Sequence, residues 1–360
     1  MTVVALGVPS VHRLGSPEMP PAPTDGPLVD TFGRVATDLR VSLTDLCNLR
    51  CTYCMPAEGL DWMRGDQKLR ADELARLLRI AVTRLGVTSV RFTGGEPLVV
   101  PHLEDVIAAT ATLRPRPEIT LTTNGVGLAQ RAAALKEAGL DRINVSLDTV
   151  DAARFAAITR RDRLAAVLAG LRAAKAAGLQ PVKVNAVLDP VTGLEDAVAL
   201  LRFCVDHGYQ LRVIEQMPLD AGHSWQRDHT ISADDVLATL RRHFTLTPDP
   251  SPRGSAPAQL WQVSSTERGA DVIGQVGIIA SVTKAFCSAC DRTRLTADGQ
   301  VRNCLFASQE TDLRALLRAG ADDDALEAAW RAAMWAKAAG HGINDPDFVQ
   351  PDRPMSAIGG

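Results

Sequence analysis

Arg84-Leu85-Gly86-Val87-Thr88-Ser89-Val90-Arg91-Phe92 joins the end of an apolar-periodic helix to a β-branched strand through a single glycine. Glycine just past a helix end takes the left-handed conformation that turns the chain into the next element. The same junction recurs as EAGLDRINV around Gly139, AAGLQPVKV around Gly178 and DHGYQLRV around Gly208. Working outward from these junctions, strands are predicted at 38–43, 89–92, 118–122, 142–147, 181–188 and 210–214. Helices are predicted near 72–84, 102–113, 128–138, 162–177 and 194–207. Strictly alternating strands and helices build parallel βαβ units with right-handed crossovers. Six units, with no clear seventh and eighth, occupy less than the roughly 250 residues of a full eight-unit barrel. The expectation is an α/β fold, a partial (β/α)6 TIM-like barrel over residues 31–230. Residues 1–30, dense in proline, read as a flexible extension with order beginning near Thr31. Residues 231–360 read as a C-terminal region that closes the barrel.

That C-terminal region has its own signals. Ser232 and Asp235 fit a capping box opening a helix to about residue 243. Residues 247–257 form a Pro-rich loop, and alternating runs follow at 259–263, 272–282 and 292–304, with Asp298-Gly299 as a hairpin turn. A later helix is predicted at 322–339, with Asp322, Asp323 and Asp324 at its start and Lys337 near its end, as the helix dipole favours.

In parallel α/β folds ligands bind at the C-terminal ends of the strands. The first predicted strand runs straight into Cys47, Cys51 and Cys54, spaced C-x3-C-x2-C. Gly94-Gly95-Glu96-Pro97 follows the second strand, Thr122-Thr123-Asn124-Gly125 the third, Ser146-Leu147-Asp148 ends the fourth, and Met217 follows the sixth. These polar groups fall on one rim. A second triplet, Cys287, Cys290 and Cys304, flanks the Asp298-Gly299 hairpin. A closed tetrahedral metal site takes four ligands, and each triplet supplies three. Three thiolates suit a [4Fe–4S] cluster with one open iron, and zinc with an unrecognised fourth ligand is the alternative at either triplet. Arg292 and Arg294, two apart on a strand, share a face beside the second triplet, where paired guanidiniums suit a phosphate or an electron-rich base. Cys204 lies on a helix with Leu200, Leu201 and Val205 and reads as core.

The 360 residues carry a formal net charge of -3, which argues against a general nucleic-acid or membrane-surface role. No apolar stretch approaches the eighteen residues or so of a membrane span. The opening residues lack the basic region of a secretory signal. The chain is therefore expected to be cytoplasmic, where closely spaced cysteines act as metal or redox ligands.

The Cys47/Cys51/Cys54 motif with Tyr53 inside it, followed by Gly94-Gly95-Glu96, resembles the radical S-adenosylmethionine superfamily. Within it the ordered chain resembles the GTP 3′,8-cyclase family of molybdenum-cofactor biosynthesis. The stretches that carry the resemblance are DLRVSLTDLCNLRCTYCMP, VRFTGGEPL, LTTNG, RINVSLD, VKVNAV, RVIEQMP, FCSACDRTRLTADGQVRNCLF and the terminal Gly359-Gly360. Position 46 is Leu where many relatives carry Arg. The resemblance implies a lyase with two [4Fe–4S] clusters, one on Cys47, Cys51 and Cys54 and one on Cys287, Cys290 and Cys304. It implies that Tyr53, Gly95, Ser146 and Met217 line S-adenosyl-L-methionine. It further implies that Arg40, Arg91, Thr122, Lys183, Arg292, Thr293 and Arg294 bind GTP, and that the tail Gly359-Gly360 reaches the active site. Implied partners are an electron donor and the next enzyme of the pathway, cyclic pyranopterin monophosphate synthase, with no nucleic acid or membrane and a monomer or homodimer as the assembly. Two alternatives are a radical peptide-modifying enzyme with an auxiliary cluster and a non-enzymatic zinc-binding module. The open coordination positions of the two triplets are expected to face each other across one cavity.

Overall fold

A computed structural model describes residues 21–265 and 271–359. The barrel elements run β1 (Asp38–Ser42), α1 (Ala71–Thr83), β2 (Ser89–Thr93), α2 (Leu103–Ala111), β3 (Glu118–Thr123), α3 (Leu128–Glu137) and β4 (Arg142–Ser146). They continue with α4 (Ala152–Thr159), α5 (Leu164–Ala176), β5 (Lys183–Val187), α6 (Gly193–His207) and β6 (Gln210–Ile214). All six strands pair in parallel and in sequence order. The junction glycines take positive φ: Gly86 at 77°, Gly139 at 107°, Gly178 at 75° and Gly208 at 69°.

Strand alternation separates two chemistries. Leu39, Val41, Val90, Phe92, Ile119, Leu121, Ile143, Val145, Val184 and Leu211 point outward and are fully buried against the helices. Burying each such side chain stabilises the fold by about 1.5–3 kcal/mol. The intervening positions point inward and are polar: Asp38, Arg40, Arg91, Thr122, Arg142, Asn144, Ser146, Lys183, Asn185 and Arg212. An aliphatic shell thus surrounds a charged lumen.

The remaining elements are α7 (Ala233–Leu240), β7 (Phe244–Pro248), β8 (Gln259–Ser265), β9 (Val272–Ile279), β10 (Arg292–Leu295), β11 (Gln300–Arg302), β12 (Thr311–Asp312), α8 (Leu313–Arg318), α9 (Asp323–Trp335) and α10 (Met355–Ile358). The capping box at Ser232 is formed. The C-terminal region does not simply lie across an open barrel. β10 joins the free edge of β1 and β9 joins the free edge of β6, both in parallel. The strand order is β12-β11-β10-β1-β2-β3-β4-β5-β6-β9-β8-β7. The six-unit barrel is therefore widened at both edges by strands from the second half of the chain.

Two boundaries differ from expectation. Residues 28–30, assigned to the extension, already belong to the framework. Leu28 is fully buried and its amide donates to the Leu85 carbonyl at 3.0 Å. Arg331 of α9 donates to the Gly26 carbonyl at 2.8 Å and to the Asp25 and Pro27 carbonyls at 3.3 Å. One leucine among prolines has no period, so only its tertiary partners reveal it as core. Residues 1–20 lie outside the described residues. The second difference is α4, which sequence periodicity missed because it is two turns long. Among the described residues no helix is long and apolar enough to cross a membrane.

Candidate active site

The lumen of the barrel holds a cavity of about 760 Å³, and all six cysteines of the two triplets line it. The shared cavity expected from the sequence is present. Cys204, by contrast, is fully buried in the core.

The first triplet sits on a loop that several neighbours fix. The Arg50 amide donates to the Thr159 carbonyl at 3.0 Å and the Thr52 amide to the Ile158 carbonyl at 2.9 Å, both at the end of α4. Arg160 donates to the carbonyls of Arg50 and Met55 at 3.0 and 2.9 Å. From the other side, the Gly95 amide donates to the Thr44 carbonyl at 2.7 Å and the Glu96 amide to the Leu46 carbonyl at 2.8 Å. A Cβ on Gly95 would lie 2.7 Å from the Asp45 carbonyl carbon and closer still to the carbonyl oxygens of Asp45 and Leu46. The double glycine lets two loops lie backbone on backbone. That packing role accompanies the cavity-lining role the sequence suggested for Gly95.

Two buried carboxylates complete this rim. Glu96 accepts from Thr123 Oγ1 at 2.5 Å, the Asn124 amide at 2.6 Å and the Leu98 amide at 2.9 Å. Burial pushes its carboxyl up to about 7 against those hydrogen bonds. Asp148 accepts from the Tyr53 hydroxyl at 2.7 Å and the Val187 amide at 2.9 Å, and burial raises it to about 6. Tyr53 is thereby oriented at the wall, which Ser146 and Met217 also line.

Between the triplets the wall is cationic. Strand register places Arg40 between Arg91 and Arg294, and Asp38 opposite Arg292. Arg142, Lys183 and Arg212 continue the lining on β4, β5 and β6. Cations outnumber the carboxylates Asp38, Glu118 and Asp291 that face them. Burial works to raise the Asp38 carboxyl, but Arg40, Arg91, Arg292 and Arg294 outweigh it and hold it below its ordinary value. Burial, with Arg40 beside each, lowers Arg91 and Arg294 to about 9. Burial and then the repulsion of Arg212, Arg142 and Arg91 bring Lys183 down to about 7. Arg40 Nε, Arg91 Nε, Arg212 Nε, Arg292 Nε and Arg142 Nη1 are buried with no hydrogen-bond partner, as are Asp38 Oδ1, Asn144 Oδ1 and Asn185 Oδ1. Buried donors of this kind are normally satisfied. A polyanion entering the lumen would satisfy the guanidinium donors, whereas the three oxygens require donors such as hydroxyl or amino groups.

Of the residues the resemblance assigned to substrate, Arg40, Arg91, Thr122, Lys183, Arg292 and Arg294 line the cavity. Thr293 does not. It is fully buried on the outer face of β10, where its hydroxyl accepts from Trp330 Nε1 at 3.0 Å. The alternation that puts Arg292 and Arg294 inside puts Thr293 outside. The tail also reaches the site: Met355 and Ser356 line the cavity, and the Gly359 carbonyl accepts from Arg294 Nη1 at 2.6 Å. Gly359 packs against Thr93 and Ser42 with φ of 83°. Gly360 lies outside the described residues.

Sequence reading missed several lining residues. Arg142 and Arg212 were legible from alternation, since each is in phase with an inward neighbour on its strand. Arg253, on the Pro-rich loop, gave no signal. The structure brings residues 253–257 to the cavity, with the Ser255 carbonyl accepting from Arg292 Nη2 at 2.8 Å. Phe286 lies between two guanidiniums, with Arg292 at 5.2 Å and Arg253 at 5.8 Å from its ring centre.

The donor sets fit iron–sulfur clusters. Among the described residues no three Cys, His, Asp or Glu side chains close on a single metal ion. A four-iron cluster takes its thiolates at separate irons, so its ligands need not converge on one point. Within each triplet the thiols act on one another electrostatically, Cys47 and Cys54 on Cys51, and Cys304 and Cys290 on Cys287. Each triplet is thus one cluster of soft ligands at the cavity wall.

Residues 41–204 match the Radical SAM superfamily, and residues 209–343 match Molybdenum Cofactor Synthesis C. The fold is similar to that of Streptococcus suis SuiB bound to S-adenosylmethionine, with a TM-score of 0.58 at 16% identity over 89% of this chain and 76% of that one. Radical SAM proteins carry a [4Fe–4S] cluster and use S-adenosylmethionine. Over the full length of both chains this protein is 75% identical to the GTP 3′,8-cyclase of Mycolicibacterium smegmatis. It is 73% identical, again over the full length of both, to GTP 3′,8-cyclase 2 of Mycobacterium tuberculosis. The chain belongs to the GTP 3′,8-cyclase family of radical SAM enzymes.

Proposed function

We propose that this protein cyclises GTP to (8S)-3′,8-cyclo-7,8-dihydroguanosine 5′-triphosphate, an early step of molybdenum-cofactor biosynthesis. One observation carries the reading: a lumen of buried guanidiniums with unpaired donors lies between two cysteine triplets, in a chain of this family. Cys47, Cys51 and Cys54 would hold the cluster that binds S-adenosylmethionine, and Cys287, Cys290 and Cys304 a second [4Fe–4S] cluster at the guanine. When bound, the first cluster and S-adenosylmethionine would supply the one-electron chemistry that removes hydrogen from ribose C3′; joining C3′ to guanine C8 then takes up one electron from an external donor and one proton.

The chain itself binds, orients and shields. Arg91, Lys183 and Arg212 offset the triphosphate charge in a lumen of low dielectric. Arg40, Arg292 and Arg294 stand beside the second triplet and hold the base end. With the two ends held apart, ribose C3′ falls between the two triplets, where orientation contributes most to rate. Tyr53, Gly95, Ser146 and Met217 line the cosubstrate end, and the Gly359 tail narrows the lumen beside Arg294. The aliphatic outer shell keeps water from a reactive primary radical. A one-electron donor and the next enzyme, cyclic pyranopterin monophosphate synthase, complete the set of partners this reading requires. A peptide substrate would not need so concentrated a positive charge as Arg91, Lys183, Arg212, Arg292 and Arg294 supply, which favours the triphosphate over the peptide-modifying alternative.

The test is anaerobic incubation of the iron-loaded protein with GTP, S-adenosylmethionine and a strong reductant. The expected products are 5′-deoxyadenosine, methionine and a cyclised guanosine triphosphate in step. Formation of 5′-deoxyadenosine with GTP recovered intact would reject the substrate assignment.

Lys183 gives the binding step a pH signature. Its ammonium is lowered to about 7 in the free protein, and a bound triphosphate raises it again. Below pH ~7 the group is already charged and adds no slope. Above it, each GTP bound draws in a proton, so affinity falls by up to about tenfold per pH unit. Calorimetric Kd values from pH 6 to 9 should show this fall, and Lys183→Met should bind more weakly with that slope removed. An identical slope in Lys183→Met would assign the titration elsewhere.

A further inference from the structure

The two triplets stand in different electrostatic surroundings. Cys47 Sγ accepts from neutral amides, Leu49 N at 3.5 Å and Asn124 Nδ2 at 3.8 Å. The nearby Arg50 directs Nη1 to the carbonyls of Cys47 and Leu49 instead. Cys290 Sγ accepts from two cations, Lys337 Nζ at 3.4 Å and Arg292 Nη1 at 3.7 Å.

Arg292 lines the cavity, whereas Lys337 approaches the same sulfur from behind the wall. Lys337 follows α9 and is only 4% exposed. Its ammonium also meets the Cys290 carbonyl at 3.4 Å and the Arg292 carbonyl at 2.9 Å. Among the described residues no carboxylate lies within ion-pair distance of it; the sequence placed it at the helix end as a partner for the dipole. A buried ammonium held only by carbonyls is costly. The anionic group that geometry offers it is the Cys290 thiolate.

We propose that Lys337 is a positioning residue for the second cluster: its ammonium offsets the negative charge of the Cys287/Cys290/Cys304 site and raises that cluster's reduction potential. A cation and an N–H···S hydrogen bond at a ligand sulfur both stabilise the more negative, reduced state. The first triplet receives neutral donors instead, so the contact separates the two clusters in potential and makes the second the easier to reduce. This inference rests on the reading that the second triplet holds a cluster.

The experiment is a redox titration followed by electron paramagnetic resonance on the full-length, iron-loaded protein. Wild type is compared with Lys337→Met, Lys337→Gln and Lys337→Arg. A companion protein with Cys47, Cys51 and Cys54 all changed to Ser identifies the second cluster's signal. Lys337→Met and Lys337→Gln should shift the second midpoint to more negative potential and leave the first in place, while Lys337→Arg retains most of the wild-type value. If the uncharged variants lose the second cluster and Lys337→Arg keeps it, the requirement for charge is equally supported. An unchanged second potential at full iron content in Lys337→Met or Lys337→Gln overturns the proposal. So does loss of the cluster in all three, which would make the lysine's shape the requirement. Wild-type protein with only about four irons and one signal would instead remove the second cluster itself.

Discussion

Serine at any one of Cys47, Cys51 or Cys54 should abolish 5′-deoxyadenosine formation, whereas serine at Cys287, Cys290 or Cys304 should spare uncoupled S-adenosylmethionine cleavage and remove only the cyclised product. The expectation follows from placement. The first triplet shares its rim with Tyr53, Gly95, Ser146 and Met217, while the second lies beside the strand that carries Arg292 and Arg294. A residue that acts on cosubstrate must silence everything downstream, and one that acts on the base end need not stop the upstream cleavage. Chromatography of 5′-deoxyadenosine and of the guanosine product, alongside iron content, reads both outcomes. Iron should fall from about eight to about four per chain in either series. Equal loss of both products from the two triplets would deny them separate roles.

The second large effect is structural. Gly95→Ala should destabilise the protein by about 3 kcal/mol or more and strip the first cluster. The added methyl falls on the backbone of Asp45 and Leu46, which cannot rotate away as a side chain would. Relief requires separating the loop that carries Cys47 from the end of β2, which breaks the hydrogen bonds from the Gly95 and Glu96 amides to the Thr44 and Leu46 carbonyls. Gly127→Ala is the matched control. Gly127 has φ of 91° but nothing within 4 Å of where a methyl would stand, so it should cost only about 1 kcal/mol of backbone strain. Denaturant unfolding of the two apo variants gives the comparison, and a Gly95→Ala protein as stable as the control would refute the steric clash.

Much of the architecture was legible in the amino-acid order alone. Glycine caps and period-2 alternation located the six barrel strands within a few residues, because each signal is local: a left-handed φ at Gly86, or an apolar outer face at Val90 and Phe92. Alternation also carried more than was taken from it. The same two-residue period that put Arg292 and Arg294 on one face already sent Thr293 to the other, and it marked Arg142 and Arg212 as inward. Helix α4 was missed because two turns carry too little period. Its importance comes from holding the backbone of Arg50 and Thr52, a tertiary fact.

By itself the sequence determined the two cysteine triplets, their spacing, the alternation of strand and helix and the face on which each strand residue points. Those depend on backbone geometry and on neighbours a few positions away. Only the tertiary structure decided that β9 and β10 extend the barrel at opposite edges, that Arg253 enters the lumen, that Leu28 is core and that Lys337 stands behind Cys290. Each of these joins segments tens to hundreds of residues apart, such as Asp38 with Arg292. Local periodicity does not encode such partners. They are selected when whole faces pack and buried charges must find compensation.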